Sequence, residues 1–261
     1  LWGTIRSVAI PTLLMVAFLE LAIRKFELPA LFLVSNFADP TTIRGYTFYF
    51  VEIYIQIILL AAILFSVPFV RESFRLRPMV SALVLFAATV ILDGAIESVW
   101  NGDYNYDRSP WHYSWSFALG MVLSAAKDLR TKLLALAISV AAVLIYWGPT
   151  SAAYYVGGGC AFVLFVRAIV VPAQVKIVVA EIAGASMFIY LTHFQMMSLV
   201  RKMFGQDMPW VALILSIIGG VIGAHVYAWG ERKFLQSRGY AWIERKFLQS
   251  RAAARAGARA A

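Results

Sequence analysis

The chain has 261 residues, of which 61% are hydrophobic and only 14% are charged. A soluble domain carries about 25% charged residues, so this composition excludes an ordinary water-soluble protein. The net charge of +9 does not indicate a nucleic-acid-binding protein, because the basic residues gather in alternate loops between apolar runs. We therefore predict an all-helical protein that is embedded in a membrane.

The apolar runs each approach the ~20 residues that a helix needs to cross the hydrocarbon core. In chain order they are Gly3–Ile23, Tyr46–Val70, Met79–Trp100, His112–Ala126, Leu133–Trp147, Ser151–Val171, Ile177–Val200 and Trp210–Trp229. This pattern predicts a polytopic bundle of about eight transmembrane helices. The loops after the second and fourth runs are basic, as is the tail, which indicates that both termini lie in the cytoplasm.

The end of the chain contains a tandem repeat. YAWGERKFLQSR begins at Tyr227, and YAWIERKFLQSR begins at Tyr240. We predict that residues 1–229 form the transmembrane domain and that residues 230–261 form a basic cytoplasmic tail. Apolar residues recur at near-helical spacing in the second copy, beside Arg and Lys, which favours an amphipathic helix on an anionic membrane surface.

Carboxylates inside the predicted spans indicate a structural or functional role, because inserting each at the membrane centre costs roughly 2.5–3.5 kcal/mol of free energy. Glu52 and Gln56 lie four residues apart in the second span, so they share one helix face. Asp93 and Glu97 repeat this spacing in the third span. Asp93 and Glu97 also lie near the end of their span, where they would reach the headgroup region without any further role.

Histidines mark two other spans. His112 follows a Trp at a predicted interface, where amphipathic residues are expected on general grounds. His193 belongs to a polar stripe that faces other helices, and it would equally serve as a hydrogen-bonding residue between helices. The stripe consists of Ser186, Tyr190, His193 and Met197.

The predicted topology separates the polar residues into two groups. An outer group is expected to bind a polar acceptor, and it includes Gln56, Asp93, Glu97, His112 and Tyr190. An inner basic group suits a phosphate-rich donor, because Lys and Arg bind phosphate by charge-assisted hydrogen bonds. Its members are Arg71, Arg75, Arg77, Arg167 and Lys176, although Arg167 would equally pair with Glu181. The three histidines and one cysteine are far apart in sequence, so nothing favours a metal site.

Four stretches resemble the acyltransferase-3 family of membrane proteins, which O-acylate cell-surface glycans. They are YTFYFVEIYIQ from Tyr46, WSFALG from Trp115, SMFIYLTHF from Ser186 and WIERKFL from Trp242, in the order in which the family has them. The last stretch has Lys246 where the family has Pro. The resemblance implies transfer of an acyl group, expected to be acetyl, from acyl-CoA to a hydroxyl of a glycan or lipid-linked acceptor. It implies acetyl-CoA as a co-substrate and no bound cofactor.

The resemblance also implies a catalytic His in the family's first span, preceded by a basic residue at a fixed distance. No His of this chain has that context, so we expect the chain to lack the first one or two helices of the family. His193 and Glu52 are then the candidates for the general base that an attacking hydroxyl requires. We expect the protein to lie in a bacterial inner membrane, in contact with membrane lipid.

Two other functions stay open at this point. A transporter or flippase for a glycan or lipid precursor would also need buried carboxylates. Such proteins are often built from repeats, and the two halves of this chain show no symmetry of hydropathy. A degenerate family member would serve only as a membrane scaffold. Binding of acyl-CoA distinguishes an acyltransferase from both.

Overall fold

The computed structural model describes residues 2–24, 27–38, 49–100, 106–206 and 208–236. These residues form helices and turns with no strand, which confirms the prediction of an all-helical fold. The chain divides into two compact units, Leu1–Val170 and Val171–Ala261. The second repeat copy, including the WIERKFL stretch and the predicted amphipathic helix, lies outside the described residues.

The first unit contains the longer series of helices. In chain order they are α1 Trp2–Ile23, α2 Leu28–Leu31, α3 Tyr49–Ser66, α4 Pro68–Leu76, α5 Pro78–Trp100, α6 Pro110–Ala125, α7 Leu129–Trp147 and α8 Ser151–Phe165. Short 3₁₀ turns lie at Ser35–Phe37 and Tyr106–Arg108. Helix α1 packs on α3, α3 on α6, α5 on α6, and α7 on α8.

Proline sets the end of the second predicted span. That span was expected to run to Val70, but α3 ends at Ser66. Pro68 has no backbone N–H and begins a new helix, while Val67 before it takes extended backbone, as residues before proline prefer. The segment beyond the break is therefore a separate amphipathic helix, α4.

The second unit contains α9 Ala173–Gly184, α10 Ser186–Phe204 and α11 Pro209–Leu235. The predicted seventh span is not one straight helix, because α9 and α10 meet at a 70° bend, although the pair together is a candidate for one span. Helices α10 and α11 approach closely at Gly220, where an added Cβ would lie 2.5 Å from the Ile189 backbone nitrogen. Glycine at this position is therefore required by the close approach of the two helices.

Fewer helices than predicted are long and apolar enough to cross a membrane. Among the described residues they are α3, α5, α7 and α11, with a fifth if the bent pair α9 and α10 is one span. Helix α6 has only 16 residues, and α8 has 15. Each of the eight predicted runs contains a helix, but the count of eight spans is too high by this measure. Many large apolar side chains on these helices are exposed, as expected for surfaces in contact with lipid.

Candidate functional site

A buried carboxylate lies at the centre of a polar cluster in the first unit. Asp93 of α5 is 2% exposed. The Tyr106 hydroxyl donates to its Oδ1 atom at 2.5 Å, and His112 Nδ1 lies 3.3 Å from the same oxygen. These contacts compensate the burial of Asp93, because an unpaired carboxylate away from water is strongly unfavourable.

The N-cap of α6 positions Tyr106 and His112, two partners of Asp93. Ser109 is the N-cap residue, and its hydroxyl accepts a hydrogen bond from His112 N at 3.4 Å. The same hydroxyl donates to the Tyr106 carbonyl at 2.7 Å. Tyr106 and His112 are thereby fixed to one N-cap residue, and the packing of α6 on α5 brings both onto Asp93.

The contact with Asp93 determines which nitrogen of His112 carries a proton. A carboxylate only accepts hydrogen bonds, so Nδ1–H is the donor and Nε2 keeps its lone pair in the neutral ring. Burial, together with the neighbouring Asp93, raises the pKa of the Tyr106 phenol, which therefore stays protonated as a donor. The His112 side chain is 24% exposed, so its ring is accessible in part. This arrangement leaves Nε2 able to accept a proton from a bound molecule.

Aromatic rings enclose His112. Their centroids lie 4.9 Å away for Tyr106, 5.1 Å for Tyr113 and 6.1 Å for Tyr146. Trp115, one turn further along α6, stacks on Tyr146 at 4.2 Å with an interplanar angle of 8°. The histidine therefore has a rigid and largely apolar surround, which limits the number of rotamers that it can adopt.

Glu52 and Gln56 form a second network that fastens the segment before α3 to the helix. Glu52 is 1% exposed, and its carboxylate accepts hydrogen bonds from Ser35 Oγ at 2.6 Å and from Asn36 N at 3.0 Å. The Gln56 and Asn36 side-chain amides exchange two hydrogen bonds, at 3.0 and 2.9 Å. Gln56 also donates to the Leu33 carbonyl at 2.9 Å. Both predicted residues of this pair are thus engaged with residues 33–36.

One hydrogen bond joins the two networks. Asn36 Nδ2 donates to the Arg108 carbonyl at 2.9 Å. Arg108 directly precedes the Ser109 cap, and its guanidinium lies over the Tyr49 ring at 4.8 Å from the centroid. The structure therefore brings Glu52 and Gln56 to the same end of the first unit as Asp93 and His112. Glu97, one turn beyond Asp93, is exposed.

His193 lies in the second unit and interacts with its own helix. Its Nδ1 atom contacts the Tyr190 carbonyl, and the centroid of its ring lies 3.9 Å from that of Phe194. At the two ends of the predicted stripe, Ser186 and Met197 are exposed. The contacts with the glycines of α11 come from other residues of α10, namely Phe188, Ile189 and Met196.

The basic candidates are distributed over both units. Arg71 and Arg75 lie on α4, with Arg77 directly after it, and Arg75 forms an ion pair with Glu72 at 2.6 Å. Arg167 is exposed after α8, whereas Lys176 is exposed on α9 in the second unit. Glu181 contacts His225 Nε2 at 3.2 Å. Within the described part of the chain, no group of three or more His, Cys, Asp or Glu residues is placed to hold a metal ion.

Sequence reasoning missed several members of these networks. Tyr106 and Asn36 lie between the long helices, where helical periodicity does not predict which side chains face the core. Glu20 of α1 is 4% exposed, with one carboxylate oxygen accepting from Glu27 N at 3.1 Å and the other without a partner among the described residues. The free-energy cost of a carboxylate inside a membrane, which indicates a role for Glu52, applies equally to Glu20 and would have identified Glu20 as a candidate.

The chain matches a family model described as an acyltransferase domain over residues 5–229. The matched region includes both polar networks of the first unit and His193 of the second. No curated protein and no solved structure matches the chain.

Proposed function

The chain belongs to the acyltransferase-3 family, and from that premise we propose that it is an integral-membrane O-acyltransferase in which His112 is the general base. The acyl donor is acyl-CoA, with acetyl-CoA as the first candidate, and the acceptor is a hydroxyl of a cell-surface glycan or a lipid-linked precursor. The observation that carries the assignment of the base is the hydrogen-bonded pair of Asp93 and His112.

The chemistry follows from the state of this pair. A hydroxyl is a weak nucleophile, so Nε2 of His112 accepts its proton as the oxygen attacks the thioester carbonyl. The tetrahedral intermediate then collapses, the carbon–sulfur bond breaks, and the leaving thiolate takes the proton from the imidazolium. Asp93 orients the ring and stabilises its charged form between these steps, as a buried carboxylate does in hydrolase triads. The products are an ester and a free thiol.

The geometry favours His112 over the two bases that were predicted from the sequence. Glu52 is buried, and its two oxygens each accept a hydrogen bond from residues 35–36. A general base needs direct reach to the proton that it removes. His193 has no carboxylate partner among the described residues, and its Nδ1 atom is engaged by a backbone carbonyl. The catalytic roles of His193 and Glu52 stay predictions, which acyl-transfer assays of Glu52→Gln and His193→Gln test.

We also propose that the protein lies in a bacterial inner membrane with both termini in the cytoplasm. The support is the positive charge of residues 71–77 and of residues 127–132, which lie on one side of the membrane when α5 and α6 both cross it. Inverted membrane vesicles test this orientation, since a C-terminal tag would be open to protease there and protected in intact spheroplasts. The opposite pattern would contradict it.

The experiment for the activity uses membranes from cells that express the chain, supplied with acyl-labelled acetyl-CoA and a panel of longer acyl-CoAs. An acyltransferase transfers label to an alkali-labile ester in the glycan or lipid fraction, and membranes without the chain do not. A flippase moves unlabelled precursor across the bilayer with no acyl-CoA present. Transport without any ester formation would overturn the proposal in favour of that alternative.

A further inference from the structure

An apolar groove runs along the N-terminal half of α5, between α4 and the end of α3. Its volume is about 650 Å³. Its apolar lining includes Leu64, Phe69, Leu76, Val80, Val84 and Ala88, and Glu72 and Arg77 also border it. The groove takes no part in the proposed catalytic chemistry.

The groove lies on a surface that hydrocarbon would cover. Val80 is 55% exposed and Val84 is 64% exposed, and both are on a helix long and apolar enough to cross a membrane. In water, a contiguous apolar surface of this kind would be unfavourable. In a bilayer, a mainly apolar concavity favours an acyl chain, because its lining offers a polar ligand few hydrogen-bond partners.

The end of the groove near α4 is positively charged. Arg75 is occupied by Glu72, with hydrogen bonds of 2.9 and 2.6 Å. Arg77, directly after α4, borders the groove and is exposed. Arginine binds phosphate by charge-assisted hydrogen bonds, and basic residues beside a membrane helix attract anionic headgroups. The occupant therefore combines a phosphate at this end with an apolar chain along α5.

The length of the groove matches one leaflet. From Arg77 to Ala88 the helix advances 11 residues, which corresponds to about 17 Å along its axis. Half of the hydrocarbon core is about 15 Å thick. An acyl chain whose headgroup lies at Arg77 would thus reach the bilayer midplane near Ala88.

The direction of the groove argues against its holding the acyl donor. A smaller cavity of about 220 Å³ shares Leu64 and Leu85 with the groove and reaches α6 at Ser114. His112 lies two residues before Ser114, which is about 200° around the helix axis. The cavity therefore lies on the side of α6 away from His112. A thioester that enters along this path would not meet Nε2.

We propose that the groove binds an anionic phospholipid, with one acyl chain along α5 and its phosphate on Arg77, which borders the groove. The lipid would hold α4 against α5 at the membrane surface. The exclusion of the acyl donor rests on the proposed catalytic role of His112, whereas the lipid site itself does not.

The test uses the full chain, purified in mild detergent, with phosphatidylglycerol and phosphatidylcholine of identical acyl chains as the probes. Arg77→Gln removes the phosphate site, and Arg71→Gln is the matched control, since Arg71 is exposed on α4 but does not border the groove. Ala88→Trp fills the groove, and Ala87→Trp is its control, since Ala87 is exposed and does not border the groove. Native mass spectrometry counts the retained lipids, and thermal unfolding reports the stabilisation.

Phosphatidylglycerol is expected to be retained by the wild-type chain and to raise its unfolding midpoint more than phosphatidylcholine does. Arg77→Gln and Ala88→Trp should lose that difference, while both controls keep it. Equal effects of the two lipids on the wild-type chain would overturn the proposal, as would a preference that Arg77→Gln retains. Displacement of phosphatidylglycerol from the wild-type chain by acyl-CoA but not by free coenzyme A would assign the groove to the donor instead.

Discussion

Replacement of Glu52 by Gln separates a structural carboxylate from a catalytic one. The Glu52 carboxylate accepts one hydrogen bond from a hydroxyl and one from a backbone N–H of the turn at residues 35–36. Gln keeps one acceptor oxygen but places an NH₂ group opposite the other donor. The Ser35 hydroxyl can rotate to accept from that group, so the net change is the loss of charge from the remaining bond.

The expected magnitude follows from these contacts. A hydrogen bond to a charged group contributes about 1.5–3 kcal/mol, whereas a neutral one contributes about 0.5–1.5 kcal/mol. Glu52→Gln should therefore lower the free energy of unfolding by about 1–3 kcal/mol, measured by denaturant titration in micelles. The rate of acyl transfer per folded molecule should stay near the wild-type value. Glu97→Gln is the control, because Glu97 is exposed on α5 and its loss should change stability by less than about 0.5 kcal/mol.

One result would refute this reasoning. If Glu52→Gln kept wild-type stability and lost acyl transfer by more than about 100-fold, the effect would be in the range of a general base. Glu52 would then be the base that the sequence predicted, and the hydrogen bonds to Ser35 and Asn36 would have to open when substrate binds.

Three further predictions concern other parts of the chain. Tyr106→Phe removes one hydrogen-bond donor from the buried Asp93 and should destabilise the fold by about 1.5–3 kcal/mol in the same titration. The rate of acyl transfer should also fall. An unchanged free energy of unfolding would contradict the hydrogen bond between Tyr106 and Asp93. Gly220→Ala should destabilise the fold by about 1–3 kcal/mol through overpacking. Gly230→Ala is the control, because its added methyl group meets open space and should not destabilise the fold. Equal unfolding midpoints for the two variants would argue against the close crossing of α10 and α11. Deletion of residues 239–261 should leave membrane insertion intact in an extraction assay, and failure to insert would show that the second repeat copy is structural.

The positions of the helices were predictable from the sequence, but their ends and bends were not. Apolar runs identify helices because hydrocarbon leaves the backbone few other ways to satisfy its hydrogen bonds. Pro68 predicts the break at Val67, but the apolar residues on both sides of it made the two helices resemble one long span. The 70° bend between α9 and α10 has only Gly184 as a local cue, and glycine alone does not specify the direction of the chain.

The candidate site was predictable in part for the same physical reason. The cost of placing a carboxylate in a membrane identifies Asp93 and Glu52 from the amino-acid sequence alone. Their partners come from loops that are distant in sequence, Tyr106 from 13 residues away and Ser35 from 17. Such pairings depend on how α5, α6 and the segment before α3 pack, and helical periodicity contains no information about that packing.

The rate of acyl transfer by purified chain in lipid nanodiscs tests the central claim most directly, with His112→Gln and His193→Gln measured side by side at saturating acyl-CoA. Loss of a general base lowers kcat by about 10²–10⁴-fold, so His112→Gln should fall in that range and His193→Gln should stay near the wild-type rate. Circular dichroism and unfolding midpoints of both variants establish that each is folded. A fully active His112→Gln protein, or loss of transfer in His193→Gln alone, would contradict the assignment of His112 as the base.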